Sequence, residues 1–223
     1  LTIFARSIDE EGCEMSRGRL IGLCGALRKG SSNRKLMNAA AQSFDPAEFI
    51  EANLQLPLYD GDVEDSQGIP EAVIRLRDQI AAADAVVIST PEYNKALSGV
   101  LKNALDWISR TDSNPWRDKP VAIMSSAAGR AGGERAQYSL RLCLTPFRPH
   151  LLTGPELCLA QGPDQFDGEV LINARAQKTL DELMGELRRA AGLSIGLRLI
   201  IPQEEPRVLK TVFLAMHPIP PHL

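Results

Sequence analysis

Short, almost wholly apolar runs alternate with amphipathic stretches along the middle of this chain, and that alternation leaves few folds open. Arg19-Leu20-Ile21-Gly22-Leu23-Cys24 stops at Gly25, Ala85-Val86-Val87-Ile88-Ser89 stops before Thr90, and Pro120-Val121-Ala122-Ile123-Met124 runs into a Ser/Gly-rich stretch. Runs this short and this apolar are strands buried on both faces. Residues 48–52 and 151–159 are weaker strands of the same kind. Between the runs the period changes to that of a helix. Residues 31–43 put Leu36, Ala39 and Ala40 on one side. Pro70 opens a helix through residue 83, with Val73, Ile74, Arg77 and Ile80 in register, proline being favourable in a first turn. Residues 98–109, with Ser98 as cap, 131–144 and 173–191 complete the helices, and 57–62 reads as a loop.

Strand followed by helix, five times over, predicts a five-stranded parallel sheet covered on both faces: a doubly wound α/β domain of three layers. Short right-handed crossovers favour the strand order 2-1-3-4-5, with a ligand at the carboxyl ends of the first and third strands.

The chain has 223 residues, a net charge of -3 and 44% hydrophobic residues, enough for one domain with a real core. Its near-balanced charge gives no footing for nucleic acid or for a membrane surface. No apolar run reaches the ~18–20 residues of a membrane helix. The first residues lack the basic start and apolar stretch of a signal peptide, and residues 1–17 read as a disordered extension in which Met15 is a natural start. The four cysteines form no C-x-x-C pair and no Cys/His metal spacing. Cys24 and Cys158, inside apolar runs, are expected as buried free thiols in a reducing compartment, the cytoplasm. Residues 193–223 break the alternation; His217 and His222 there lack metal-ligand spacing, and the segment reads as a tail without assigned function. His150, between Pro149 and Leu151, is expected in a loop and outside the chemistry.

The turn after the first strand, Gly25-Ala26-Leu27-Arg28-Lys29-Gly30-Ser31-Ser32-Asn33-Arg34, leads directly into a helix. A helix N-terminus presents unpaired N–H groups and a partial positive charge. Ser31, Ser32 and Asn33 add side-chain donors, and Arg28 adds a planar cation matched to phosphate oxygens. The pattern is neither G-x-G-x-x-G nor G-x-x-x-x-G-K-[ST]. On its own the turn reads equally well as a phosphate cradle or as an ordinary strand-to-helix turn with a serine cap.

After the third strand stands Thr90-Pro91-Glu92-Tyr93-Asn94-Lys95-Ala96-Leu97-Ser98-Gly99-Val100-Leu101-Lys102-Asn103-Ala104-Leu105-Asp106-Trp107. This segment resembles the NADPH-dependent FMN reductase family, whose hallmark is P-E-Y-N followed by G-x-L-K-N-A-x-D-W. The resemblance runs from about residue 19 to about residue 191, and it includes the family's G-S-x-R-x-x-S-x-N phosphate motif, with Ala26 where the family has serine. It implies a flavodoxin-like fold and an oxidoreductase that holds FMN, takes hydride from NADPH or NADH, and reduces a small acceptor: a quinone, an azo dye, chromate or free flavin. By resemblance, Arg28, Ser31, Ser32 and Asn33 hold the phosphate. Pro91, Glu92, Tyr93 and Asn94 lie along the flavin ring, and Ser126, Gly129, Gly132 and Gly133 meet its pyrimidine end. Subunits of the family pair through the helix after Gly99, which implies a homodimer or tetramer, with Arg135, Tyr138 and Glu156 at positions used for subunit contacts. No catalytic side chain and no metal are implied. Asp106 is expected to pair with Lys102 or Arg110 rather than to act with Glu92 as an acid/base pair. Three other readings share the fold: a flavodoxin-like electron carrier, against which Arg28 and P-E-Y-N argue; a degenerate, FMN-free interaction module; and an arsenic-resistance-type reductase.

Overall fold

A computed structural model describes residues 17–193. The expectations for residues 1–17 and 193–223 fall outside it, apart from Arg17 and Leu193 at its two ends. In chain order the elements are β1 (Arg19–Cys24), α1 (Ser32–Phe44), β2 (Glu48–Glu51), α2 (Gly61–Gln67), α3 (Glu71–Ala82), β3 (Ala85–Thr90), α4 (Gly99–Ile108), β4 (Pro120–Ala127), α5 (Glu134–Leu144), β5 (His150–Leu151), β6 (Leu157–Ala160), β7 (Phe166–Asp167), β8 (Val170–Leu171) and α6 (Ala174–Ala190).

The central sheet is parallel and follows the order β2-β1-β3-β4-β5, with β6 also on β4. All six residues of β3 are buried, as are the last five of β1. Successive side chains on a strand point to opposite faces, so each strand feeds two cores. Leu20, Cys24, Val87, Ala122 and Met124 pack under α1 and α6. Ile21, Leu23, Val86, Ile88, Val121 and Ile123 pack under α3, α4 and α5. The apolar residues of α4 are used by this second core: Leu101, Ala104, Leu105 and Ile108 are buried in it, and half-buried Val100 packs against it.

The fifth strand position departs from the expected single run over 151–159. β5 pairs with the start of β4 (Pro120↔His150) and β6 with its end (Met124↔Leu157). Thr153, Gly154 and Pro155 lie between them, and a proline has no N–H for the ladder. His150 is therefore a strand residue rather than a loop residue. The segment expected as a loop over 57–62 runs into a helix, because Asp60 caps α2 by accepting from the Asp62 N–H at 2.9 Å. No residue of α2 is buried, so no apolar period announced it. The helix expected from residue 131 begins at Glu134, since Gly132 and Gly133 have φ of +61° and +92°, outside the helical region. Among the described residues no helix is long and apolar enough to cross a membrane.

Cys24, Cys143 and Cys158 are free thiols; Cys24 is buried, while Cys158 is half-buried rather than buried as expected. Burial pushes the Cys24 thiol above its ordinary range, against the opposing hydrogen bond to the Ala26 carbonyl. As pH rises the unfolded chain loses this proton first, so the folded state binds more protons and stability falls with alkalinity. The contribution is intact at neutral pH and is lost above about pH 8.5. Urea midpoints measured from pH 7 to 10 are expected to fall less steeply in Cys24→Ala than in the parent chain.

Candidate functional site

Three turns crowd the carboxyl end of the sheet, following β1, β3 and β4. The first, residues 25–31, is pressed against the second. Gly25 donates its N–H to Ser89 at 2.8 Å, and a Cβ on Gly25 would lie 2.8 Å from Ser98 Oγ and 3.0 Å from Pro91 Cδ. Only glycine allows that approach. Ser31 caps α1, its Oγ accepting from the Asn33 N–H at 3.2 Å. Residues 27–30 are exposed, and among the described residues the N–H groups of Arg28, Lys29, Gly30 and Ser32 have no partner. A row of free donors at a helix start, beside the exposed Arg28 guanidinium, is anion-binding chemistry. Arg34 reaches back from α1 to brace the turn, donating to the Arg28 carbonyl at 2.9 Å and to Glu51 at 2.6 Å.

The second turn, residues 91–98, begins with a tight reversal. Tyr93 and Ala96 exchange both backbone hydrogen bonds at 3.1 Å, with Asn94 and Lys95 between them at φ of +51° and +66°. Two consecutive left-handed residues make the mirror-image hairpin turn. Tyr93 is 56% exposed above it. Glu92 turns inward instead: its carboxylate accepts the Arg135 N–H at 3.1 Å and lies 3.7 Å from the Arg135 guanidinium. Arg135 belongs to the first turn of α5, where a negative charge is favourable.

The third turn, residues 128–133, is held from below. Asn33 is 2% exposed. Its Nδ2 donates to the Ser126 carbonyl at 2.8 Å, while its Oδ1 accepts from the Ser126 N–H at 2.9 Å and from Ser89 Oγ at 3.0 Å. Ser126 Oγ lies 2.9 Å from Ser32 Oγ. A Cβ on Gly132 would run into the Cys158 carbonyl, and one on Gly133 would lie 2.9 Å from Ser125 Oγ. The close approaches at these two glycines are thus to the protein itself. Gly129 has nothing within 4 Å of its Cβ position and is open.

The predicted residues therefore assemble at one rim in two layers. Arg28, Tyr93, Asn94 and Gly129 are exposed on it, and Ser32 and Glu92 are half-buried. Ser31, Asn33, Pro91, Ser126, Gly132 and Gly133 are buried beneath and lock the turns together. Ala26 is buried, with its carbonyl facing Cys24 and Arg34. Ser98 caps α4 as expected, its Oγ accepting from the Leu101 N–H at 3.3 Å, whereas Gly25, Arg34 and Ser89 are the bracing residues that sequence reasoning missed. Each acts through a partner on another element, and Arg34 alone carried a local signal, as a cation within reach of the turn before it. Asp106 pairs with Lys102 at 2.6 Å, as one of its two expected partners, while Arg110 pairs with Glu64. Among the described residues no group of His, Cys, Asp or Glu could hold a metal ion. Tyr138 is exposed, and the carboxylates of Glu156 and Glu134 push its hydroxyl above the usual range.

Removing the Asn33 side chain strands the Ser126 N–H and C=O in the interior. Asn33→Ala is expected to cost about 2–4 kcal/mol in urea denaturation, with β1, β3 and β4 retained by circular dichroism.

The model of a family described as NADPH-dependent FMN reductase matches residues 19–164. An NAD(P)H-dependent FMN reductase of Pseudomonas aeruginosa is 40% identical over 173 residues, covering 76% of this chain and 93% of that protein. A quinone reductase of Escherichia coli K12 is 40% identical over 176 residues, covering 76% and 91%. Among solved structures, the flavoenzyme NAD(P)H:(acceptor) oxidoreductase FerB of Paracoccus denitrificans superposes with a TM-score of 0.71 at 28% identity, covering 78% of this chain and 97% of its own. With the P-E-Y-N turn, the anion-seeking first turn and the β2-β1-β3-β4-β5 sheet in one frame, this chain belongs to the NADPH-dependent FMN reductase family.

Proposed function

We propose that the chain is an NAD(P)H-dependent FMN oxidoreductase that reduces a small acceptor such as a quinone, its site built on residues 18–192. The observation that carries this reading is the interlocked rim: unpartnered N–H groups and Arg28 at one end, the exposed Tyr93 platform at the other. FMN, when bound, supplies the redox chemistry by accepting hydride from the nicotinamide and passing electrons on. The residues supply position. Arg28, the N–H groups of residues 28–30 and 32, and the Ser31 and Ser32 hydroxyls hold the phosphate; buried Ala26 adds no hydroxyl. Asn33 serves this site from beneath, by fixing Ser126. Pro91, Glu92, Tyr93 and Asn94 form the ledge for the ring, and Ser126, Gly129, Gly132 and Gly133 border its pyrimidine end. In this reading no side chain need move a proton.

Anaerobic mixing tests this directly. The FMN-loaded protein is expected to bleach on addition of NADPH or NADH and to recover its colour on addition of a soluble quinone. A carrier of the flavodoxin kind stays yellow with both nucleotides, and an FMN-free module takes up no flavin in equilibrium dialysis. Arg28→Ala is expected to weaken FMN binding about tenfold or more, the loss of a charge-assisted hydrogen bond.

We further propose that the active species is at least a dimer. Leu58, 82% exposed, and Tyr59 flank α4, to which their segment is strapped by Asn103 Nδ2 and Trp107 Nε1, both donating to the Pro57 carbonyl at 2.9 and 2.8 Å. With the apolar residues of α4 used internally, this patch beside α4 is an apolar surface open to a second copy. Arg135, Tyr138 and Glu156 would make the further contact of a tetramer. Leu58→Glu is expected to yield monomer in sedimentation equilibrium. The three free thiols among the described residues suit a reducing cytoplasm.

A further inference from the structure

The end of β4 is held by two buried amides, one from each helical layer. Asn33 of α1 takes the Ser126 backbone, and Gln137 of α5 takes the residue before it. Gln137 is 2% exposed. Its Nε2 donates to the Leu157 carbonyl and to Ser125 Oγ, both at 2.9 Å, with Cys158 Sγ further off at 3.2 Å. Ser125 Oγ in turn donates to the Gly132 carbonyl at 2.7 Å. One side chain thus ties together β4, β6 and the third turn.

Chemistry fixes the direction of these bonds. A carbonyl only accepts, so Leu157 requires the amide nitrogen of Gln137 and not its oxygen. The second proton of that nitrogen falls to Ser125 Oγ. The hydroxyl accepts it and spends its own proton on Gly132. Gln137 Oε1 is left buried with no partner among the described residues, an unfavourable state for an acceptor. Turning the amide over would not relieve it, since Oε1 would then face the Leu157 carbonyl.

The relay ends on a peptide plane. The Gly132–Gly133 bond is trans, so its C=O and N–H point to opposite sides. With the carbonyl drawn to Ser125, the Gly133 N–H faces away from that hydroxyl. Gly133 is buried, and its Cβ position lies 2.8 Å from Ser125 Cβ and 3.8 Å from Glu92 Cβ, between β4 and the P-E-Y-N turn. The N–H groups of Gly132, Glu134 and Arg135 are spent on Gly129, Ala131 and Glu92. That of Gly133 has no partner among the described residues. A buried backbone donor left over is rare in a folded protein.

Resting on the function proposed above, we infer that Gln137 is a positioning residue for the flavin: through Ser125 and the Gly132 carbonyl, it holds the Gly133 N–H ready for the pyrimidine end of the ring. A deprotonated reduced flavin carries its charge at that end, and a donor fixed in advance stabilises the reduced form over the oxidised one. Gln137 itself touches no ligand. Its effect reaches the site only as the orientation of one peptide.

Potentiometric titration of the FMN-loaded protein reads this without turnover. Gln137→Met keeps the side-chain length and removes the donor. Ser125→Ala removes the next link and keeps the bond from Gln137 to Leu157. Each is expected to weaken binding of reduced FMN about tenfold relative to oxidised FMN, a fall of about 30 mV in the two-electron potential. The double variant is expected to fall no further, because both changes break one relay. In isotope-labelled protein, oxidised FMN is expected to move the Gly133 amide resonance less in Gln137→Met than in the parent chain. A potential unchanged in both single variants overturns the inference, even where stability drops, and marks Gln137 as a residue of the core alone. Shifts that add in the double variant overturn it too. Should Gln137→Met fail to fold, Ser125→Ala decides by itself. A protein that takes up no FMN removes the reductase reading and this inference with it. One that is reduced by NADPH, yet keeps its potential against both substitutions, removes the inference alone.

Discussion

Asn33 sits in the first turn of α1, and its side chain closes on Ser126 with two hydrogen bonds at 2.8 and 2.9 Å, across 93 residues of sequence. A third, from Ser89 Oγ, brings β3 into the same knot. An amide that gives and takes on a single backbone unit mimics a rung of a ladder, and in a buried setting such a pair is strong because no water competes. The consequence reaches beyond local stability. The first turn carries the free N–H groups, and the third carries the open Gly129. Holding them in fixed register removes the entropic cost of ordering either turn, which loose loops would incur on binding any ligand there.

The second turn is fixed by different means. Glu92 brings a carboxylate to the first turn of α5, and Gly25 allows the first turn to touch Pro91 and Ser98. Asn94 and Lys95 remain in the left-handed region, where a side chain longer than glycine is held at some cost. The double backbone bridge between Tyr93 and Ala96 keeps the reversal closed and leaves the Tyr93 ring in the open. A ledge of this kind owes its shape to backbone geometry, so an exposed aromatic on it can face a ligand without being anchored by its own packing.

Charge is distributed along the same economy. On the rim, the free N–H groups at the start of α1 and the exposed Arg28 lie in one turn. Along β6 and α6, Arg130, Glu134, Glu156 and Arg175 line one cleft and form no ion pair among the described residues, although surface ion pairs form readily elsewhere. Each such surface pair is worth little, so leaving these groups apart costs the fold little.

β1, β3 and β4, and the helices α1, α3, α4 and α6, could be read from the chain because local periodicity reports burial directly. The anion turn and the P-E-Y-N turn stood out through their residue types. The split of the fifth strand was half visible: Pro155 was in plain sight, but its effect depended on which stretch of β4 each half would join. Helix α2 buries nothing and so left no periodic trace. The sequence by itself determined the alternation, the sheet order and the chemistry offered at the first and second turns, because those follow from side-chain type and spacing over a few residues. Only the tertiary structure decided that Asn33 faces Ser126 and not the solvent, that Glu92 spends its carboxylate on α5, and that Gly132 yields to the Cys158 backbone. Those outcomes depend on partners many residues away, and a hydrogen bond across that distance exists only once the sheet has brought its strands side by side.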